Sequence, residues 1–249
     1  MFRWDVVWHY LFQDPNLLFL KAAWTTLWIS VVAQALGVIL GLFLALMRMS
    51  RHRWLNWPAT VYIWFFRGSP LLVQVLLLYD GLPKIVPALL LPNWACILVA
   101  FSLNEAAYMA EITRASINSV DAGQMEAARA LGMRYSLAMR RIILPQAARV
   151  LIPPLGNEFN NMLKSTSIAS VISLLELTGA AEVYGAQSFT VFELLIVATV
   201  FYLILTSIWE IIQRRIENSL NPDRVKTAAM EISEKSLVKR AIGINLLGH

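Results

Sequence analysis

The sequence predicts an all-α integral membrane protein with five transmembrane helices and its N-terminus outside. Three observations carry that prediction: a charge-poor composition, apolar runs long enough to cross a bilayer, and an alternation of basic and non-basic connecting segments. Of 249 residues, 58% are hydrophobic and 15% charged. An ordinary soluble domain is roughly 45–50% apolar and about 25% charged.

The elements follow in order. The first segment, "MFRWDVVWHYLFQDPN", holds Asp5 and Asp14 and no clean apolar core with a small-residue cleavage site, so it does not read as a signal peptide. Trp4, Trp8 and Tyr10 suit a membrane interface, and residues 1–21 are expected to form an outer N-terminal segment. Ala22–Met47 then carries no charge, more than the ~20 residues that cross ~30 Å of hydrocarbon. Gly37 and Gly41 in it are four apart, a spacing that lets helices approach closely, although glycine is also common in membrane helices.

The second span, Asn56–Tyr79, is apolar except for Arg67. Pro70 frees a backbone carbonyl and predicts a kink inside it. Arg67 must snorkel, find a partner or line an aqueous route; Ser69 and Gln74 beside the kink favour a role at a pathway or subunit contact. Ile85–Asn104 is a second uncharged run and the third span. It leads into Asn104, Glu105, Tyr108, Glu111 and Arg114, of which Glu111 and Arg114 sit three apart and can neutralise each other. Cys96 reads as a small hydrophobe.

The fourth span, Ala147–Ile172, is broken by Arg149, Glu158 and Lys164 and holds Pro153, Pro154, Asn157, Asn160 and Asn161. So much polarity in a span needs partners or water. It reads as pathway lining in contact with a polar solute, or as glue between helices. The fifth span, Leu194–Trp209, extends backward past Glu193 to Val183.

Lys and Arg collect in cytoplasmic loops. Arg48, Arg51 and Arg53 follow the first span; Arg114, Arg129, Arg134, Arg140 and Arg141 lie between the third and fourth; Arg214, Arg215 and a further basic group up to Arg240 follow the fifth. The segment Glu176–Glu193 instead has three acids and no base. These facts agree on one topology, with the tail 216–249 inside. They also account for the formal charge of +5 without nucleic acid.

The insert "GQMEAARALGMRYSLAMRRIILPQA" between spans three and four is polar and helical. Asp121 and Gln124 have the spacing of a capping box. Met125, Ala128 and Leu131 form a narrow apolar stripe, and Glu126 and Arg129 an i,i+3 pair. Gly132 stops or bends the helix, and a second basic helix, "SLAMRRIILP", leads to Pro145. The stripe cannot bury itself alone, so a docking partner is expected.

Glu126–Ala127–Ala128, Gly132, Ile142, Leu144 and Pro145 resemble the "EAA … G … I-LP" signature of the permeases of ABC importers. "FRGSPLLVQ" (Phe66 to Gln74), "YMAEITRASINSVDAGQMEAARALG" (Tyr108 to Gly132) and "GNEFNNMLKSTSIAS" (Gly156 to Ser170) are similar to the permeases for polar amino acids, nearest the histidine/arginine/lysine and opine branch. The resemblance covers about residues 15–220. The family often has Ser or Thr where this chain has Asn104–Glu105.

The resemblance implies a permease domain over 22–215 with a coupling region at 119–145. Glu126, Ala127, Ala128, Arg129, Gly132 and Pro145 would couple to a cytoplasmic ATPase dimer. Arg67, Gln74, Asn104, Tyr108, Asn157, Glu158, Asn160 and Lys164 are the candidate pathway residues, with Glu158 meeting a cationic side chain or an α-ammonium. The outer acids Glu176, Glu182 and Glu193 would assist a cation. The implied partners are a second permease subunit (this chain or a paralogue), an external or periplasmic solute-binding protein, an amino acid and the lipid of a bacterial inner membrane. The chain itself is expected to be no enzyme. It lacks a G-x-x-x-x-G-K-[ST] loop, so ATP and Mg belong to the partner, and His9, His52 and His249 lack metal-ligand spacing. The rival readings are an ion-coupled secondary transporter, which often carries an inverted repeat not found here, and an ABC permease for a different small solute.

Overall fold

The computed structural model describes residues 2–220; the basic group at Arg224–Arg240 lies outside the described residues. A short helix α1 (Trp4–Phe12) precedes the long α2 (Leu18–Arg48), and α3 (Arg53–Gly68) follows. Next comes α4 (Leu71–Leu76), which runs through a π-helical turn into α5 (Leu82–Ile85). The second long helix is α6 (Asn93–Asn118), followed by α7 (Ala122–Ala130). Then α8 (Tyr135–Ala138) passes through a π-helical turn, Met139–Ile143, into α9 (Leu144–Ser165), which tightens to a 3-10 segment over Thr166–Ile172. Helices α10 (Leu177–Ser188) and α11 (Val191–Leu220) complete the order.

Among the described residues three helices are long and apolar enough to cross a bilayer: α2, α6, and α11 over Val191–Ser219. Two bent pairs raise the number to five if each is one span: Arg53–Gly68 with Leu71–Ile85, bent by 106°, and Tyr135–Ile172 with Leu177–Ser188, bent by 41°. The chain divides into two compact units at Glu210, and the second holds the last turns of α11, where Gln213 donates to Glu217 at 2.8 Å.

Several expected boundaries move. The first membrane helix begins at Leu18 rather than Ala22, because Asp14 Oδ2 accepts from the free Leu18 N–H at 2.6 Å. The fifth does not reach back to Val183. That residue belongs to α10, which ends at Phe189 in the left-handed region (φ 56°). Gly185 permits the tight return, since a Cβ there would lie 2.5 Å from Val191 Cα. Pro145 does not end a helix. The π turn just before it widens the backbone, with Leu144 N–H reaching Met139 O, and Pro145 sits in the first turn of α9 where its missing N–H costs little.

Small residues set the packing. A Cβ on Gly37 would fall 2.5 Å from Glu105 Cγ, and one on Gly41 2.5 Å from Met109 Cβ and 2.9 Å from the Ala106 carbonyl. The two glycines therefore seat α6 directly on the backbone of α2. One apolar core joins α1, α2, α10 and α11 through Val7, Phe19, Leu177, Leu194 and Val197; another joins α2, α4, α6 and α9 through Ile29, Val75, Ile97, Phe101 and Met162. Cys96 is buried in the second.

Candidate functional site

The break at Pro70 organises the polar residues around it. Proline has no N–H for the carbonyl four residues back, so Phe66 O loses its helical partner. Gln74 Nε2 replaces it at 2.9 Å and Asn104 Nδ2 adds a second bond at 3.1 Å. Gln74 Nε2 also donates to Ser69 O (3.1 Å) and lies 2.8 Å from Ser69 Oγ, while Asn104 Nδ2 donates to Gln74 Oε1 at 3.0 Å. Two sequence-selected pathway residues thus tie the α3–α4 corner to α6. Their polar atoms are engaged in holding the bend.

Arg67 emerges from the same corner. Its guanidinium lies 5.4 Å from the centroid of the Tyr108 ring, a cation–π distance. It is exposed, and it acts electrostatically on Glu158 of α9 and Glu111 of α6. Glu111 is paired by Arg114, three residues on, and approached by Arg48 Nε at 3.9 Å. Arg48 in turn donates to Thr60 at 2.5 Å. Glu158 has no such cation bound to it among the described ion pairs. It is half-buried and hydrogen-bonded to Asn161.

Helix α6 holds a carboxylate that the sequence did not single out as a site residue. Glu105 is buried, takes a 2.8 Å bond from Gln34 Nε2, and is under the electrostatic influence of Glu158. Its position in a polar run at the end of span three was the available signal; its depth follows from the missing side chain of Gly37. Asn160 is half-buried, with its Oδ1 buried and unpartnered. Asn157 is exposed on α9. Arg67 thus lies over the Tyr108 ring and acts electrostatically on Glu158.

Lys164 lies elsewhere. It lines a cavity of about 270 Å³ with Ser167, Thr199, Tyr202, Leu203 and Thr206, between the end of α9 and α11. Two of the three outer acids are engaged. Glu176 is fully buried and caps α10, accepting from Gly179 N at 2.7 Å, Thr178 N at 3.0 Å and Tyr202 Oη at 2.5 Å. Glu193 is buried and accepts from Arg3 N at 2.9 Å. The expectation that they assist a cation is therefore corrected, because burial turned these carboxylates to backbone N–H groups instead of to water; Glu182 is exposed.

The insert forms a second site. Asp121 Oδ1 accepts from Gly123 N at 2.7 Å, so the cap is present. The reciprocal half of the predicted box is replaced, since Gln124 Oε1 takes Gln146 Nε2 at 3.4 Å, joining α7 to α9. At the other end Met133 N donates to Ala128 O (3.0 Å) and Gly132 N to Arg129 O (2.9 Å), with Gly132 at φ 76°. This is the Schellman arrangement, which satisfies the last carbonyls and favours glycine at its left-handed position. The predicted apolar stripe splits. Ala128 is buried, Met125 is half-buried and Leu131 is 81% exposed. Glu126, Ala127 and Arg129 are exposed beside Leu131. Pro145 is exposed at the start of α9.

The family model of binding-protein-dependent transport system inner membrane components matches residues 37–222. The octopine transport system permease protein OccM of Rhizobium meliloti is 46% identical over 206 residues, covering 80% of this chain and 84% of that protein. The arginine transport system permease protein ArtQ of Bacillus subtilis is 40% identical over 195 residues, covering 78% and 89%. Among solved structures, an amino acid ABC transporter crystallised with histidines aligns at a TM-score of 0.78 with 40% identity, over 81% of this chain and 94% of that one. An inward-facing MetNI methionine transporter aligns at 0.71 with 18% identity over 84% and 99%, a likeness of fold.

Proposed function

The chain belongs to the family of inner membrane components of binding-protein-dependent transport systems, and from that premise we propose that it carries cationic amino acids or opines through a pathway bordered by Arg67, Tyr108 and Glu158. It is a multi-pass protein of a bacterial inner membrane and a non-catalytic permease subunit; ATP and Mg are used by a separate ATPase. The ion-coupled secondary carrier, a rival reading of the sequence, is set aside by family membership.

The observation that carries the substrate class is Glu158. A half-buried carboxylate in a membrane helix, with no basic side chain ion-paired to it among the described residues, suits a cationic group on the solute. Arg67 supplies the complementary charge for an α-carboxylate, so the pair suits a zwitterion with a basic side chain; an opine, with both charge types, fits as well. The octopine, arginine and nopaline permeases among the relatives support this class. Asn157 and Asn160, neighbours of Glu158 on α9, would complete the lining when a second permease subunit closes the pathway, with Gln74 and Asn104 holding its corner and Lys164 set apart in the cavity beside α11.

The coupling reading assigns residues 119–145 to contact with a cytoplasmic ATPase dimer. Glu126, Ala127, Arg129 and the exposed Leu131 would form the contact surface, Ala128 would anchor α7 inward, and Gly132 and Pro145 would set its angle. The basic segments support an outside N-terminus, with residues 1–21 outside, a permease domain over 22–215, and a cytoplasmic tail over 216–249. A solute-binding protein would deliver the solute from outside, and ATP-driven closure of the ATPase pair would shift the population between the two access states.

The test uses proteoliposomes holding the permease, its copurified ATPase and its binding protein. ATP-dependent uptake of labelled arginine, histidine, glutamine, glutamate and octopine is compared. Cationic or opine cargo is expected, with Glu158→Gln lowering that uptake by about tenfold, the effect of losing roughly 1.4 kcal/mol. Unchanged uptake in Glu158→Gln would remove Glu158 from the pathway, and glutamate as sole cargo would overturn the substrate class.

A further inference from the structure

We propose that α1 is a membrane-interface helix whose Trp4–Trp8–Phe12 face lies in the headgroup–acyl boundary of the leaflet from which α2 and α11 enter the bilayer. The helix has three distinct sectors. Residues four apart on an α-helix advance by only about 40°, so each set with that spacing forms a strip along the axis. Trp4, Trp8 and Phe12 form one strip and are 73%, 60% and 67% exposed. Asp5 and His9 form a second, adjacent strip, followed by Gln13 just past the helix end, and all three are exposed. The third sector is docked on protein: Val7 is buried and Val6, Tyr10 and Leu11 are half-buried against the core shared by α2, α10 and α11.

The docking is specific enough to fix how the helix is rotated. The Tyr10 ring lies 5.8 Å from Phe19 of α2, the Phe2 ring 5.8 Å from Phe192 of α11, and Arg3 N donates to the buried Glu193 carboxylate. Tyr10, which the sequence groups with the interfacial aromatics, thus faces inward, and Phe12 joins the two tryptophans. With protein on one side and a polar strip on another, the aromatic strip has a single apolar medium left to meet. Leu20 and Trp24 on the first turns of α2 are exposed as well, and α2, on which α1 docks, is long and apolar enough to cross a bilayer. Tryptophan with its polar N–H and apolar body is suited to the headgroup level. Lipid therefore covers this face, and α1 sets the depth of α2 and α11 together, because it packs against both.

Site-directed spin labelling tests the assignment in the intact transporter reconstituted into phosphatidylethanolamine–phosphatidylglycerol vesicles. Cys96 is the only cysteine, so Cys96→Ser supplies a clean background. Nitroxides are placed through Trp8→Cys and Phe12→Cys on the aromatic strip and through His9→Cys and Gln13→Cys on the polar strip. Collision with oxygen, which partitions into lipid, is compared with collision with a water-soluble nickel chelate. The oxygen-to-nickel ratio is expected to be several-fold higher at positions 8 and 12 than at 9 and 13. Equal nickel access at all four positions would put α1 in water. Protection of 8 and 12 from both reagents would mean that a protein, such as the solute-binding subunit or a second copy, covers the strip. Either result overturns the proposal, and the Phe12 label decides if the Trp8 variant fails to assemble.

Discussion

Gln74 and Asn104 show how a single backbone defect recruits side chains. The Phe66 carbonyl, released by Pro70, receives two amide donors that come from different helices. Replacing either amide with leucine leaves one donor in place, whereas replacing both strands a carbonyl inside a span. The double variant Gln74→Leu/Asn104→Leu is expected to cost about 1–3 kcal/mol and more than the sum of the singles, as thermal unfolding in detergent would report. Simple additivity would mean that the two amides act independently. Glu176 and Tyr202 offer a second case. The carboxylate accepts the phenol at 2.5 Å while capping α10, so Tyr202→Phe is expected to lower stability by about 1–3 kcal/mol without touching Arg67 or Glu158. Uptake per folded complex should then stay near that of the unsubstituted protein.

At the scale of elements, α7 depends on the conformation of one residue. Gly132 sits at φ 76° with nothing within 4 Å of an added Cβ. Space is therefore not the constraint; the left-handed backbone is, and it costs an ordinary residue roughly 1–2 kcal/mol. Asparagine tolerates that region better than a β-branched residue. Gly132→Asn is expected to retain most transport and Gly132→Val to lose most of it, with the ATPase still assembled but no longer stimulated by loaded binding protein. Equal activity of the two variants would detach coupling from the Schellman turn. The α2–α6 seam is steric instead. Gly37→Leu must push Glu105 aside, since a Cβ alone would already fall 2.5 Å from its Cγ. Loss of folded protein is expected, to be read as yield of monodisperse complex.

For the whole molecule the outstanding quantity is orientation. With Cys96→Ser as background, Asp121→Cys and Arg134→Cys on the insert are expected to react with a membrane-impermeant maleimide only after the cells are opened. Gln187→Cys, at the end of α10, should react in intact spheroplasts. The reverse pattern would invert the topology and remove the insert from the side where an ATPase can reach it.

Much of this was legible in the chain itself. Long uncharged runs can only be satisfied as helices in hydrocarbon, since each backbone N–H and C=O must find a partner within the segment. That constraint is local, so α2, α6 and α11 could be read from composition, and Pro70, Asp121 and Gly132 marked a break, a cap and a stop by their own backbone chemistry. The destination of polar side chains was not local. Glu176 and Glu193 looked like outer acids until α10 and the N-terminal segment supplied N–H groups to bind them. Lys164 shared a sequence cluster with Glu158, yet it lines a separate cavity beside α11. Leu131 completed an apolar stripe on paper, while the chain reversal at Gly132 left it exposed. The sequence by itself determined the membrane class, the helical segments and the signature of the insert. Only the tertiary structure decided which polar groups are consumed in holding helices together and which, like Arg67 and Glu158, are left outside those bonds yet within electrostatic reach of each other, because hydrogen-bond satisfaction and burial depend on neighbours that the chain brings in from distant positions.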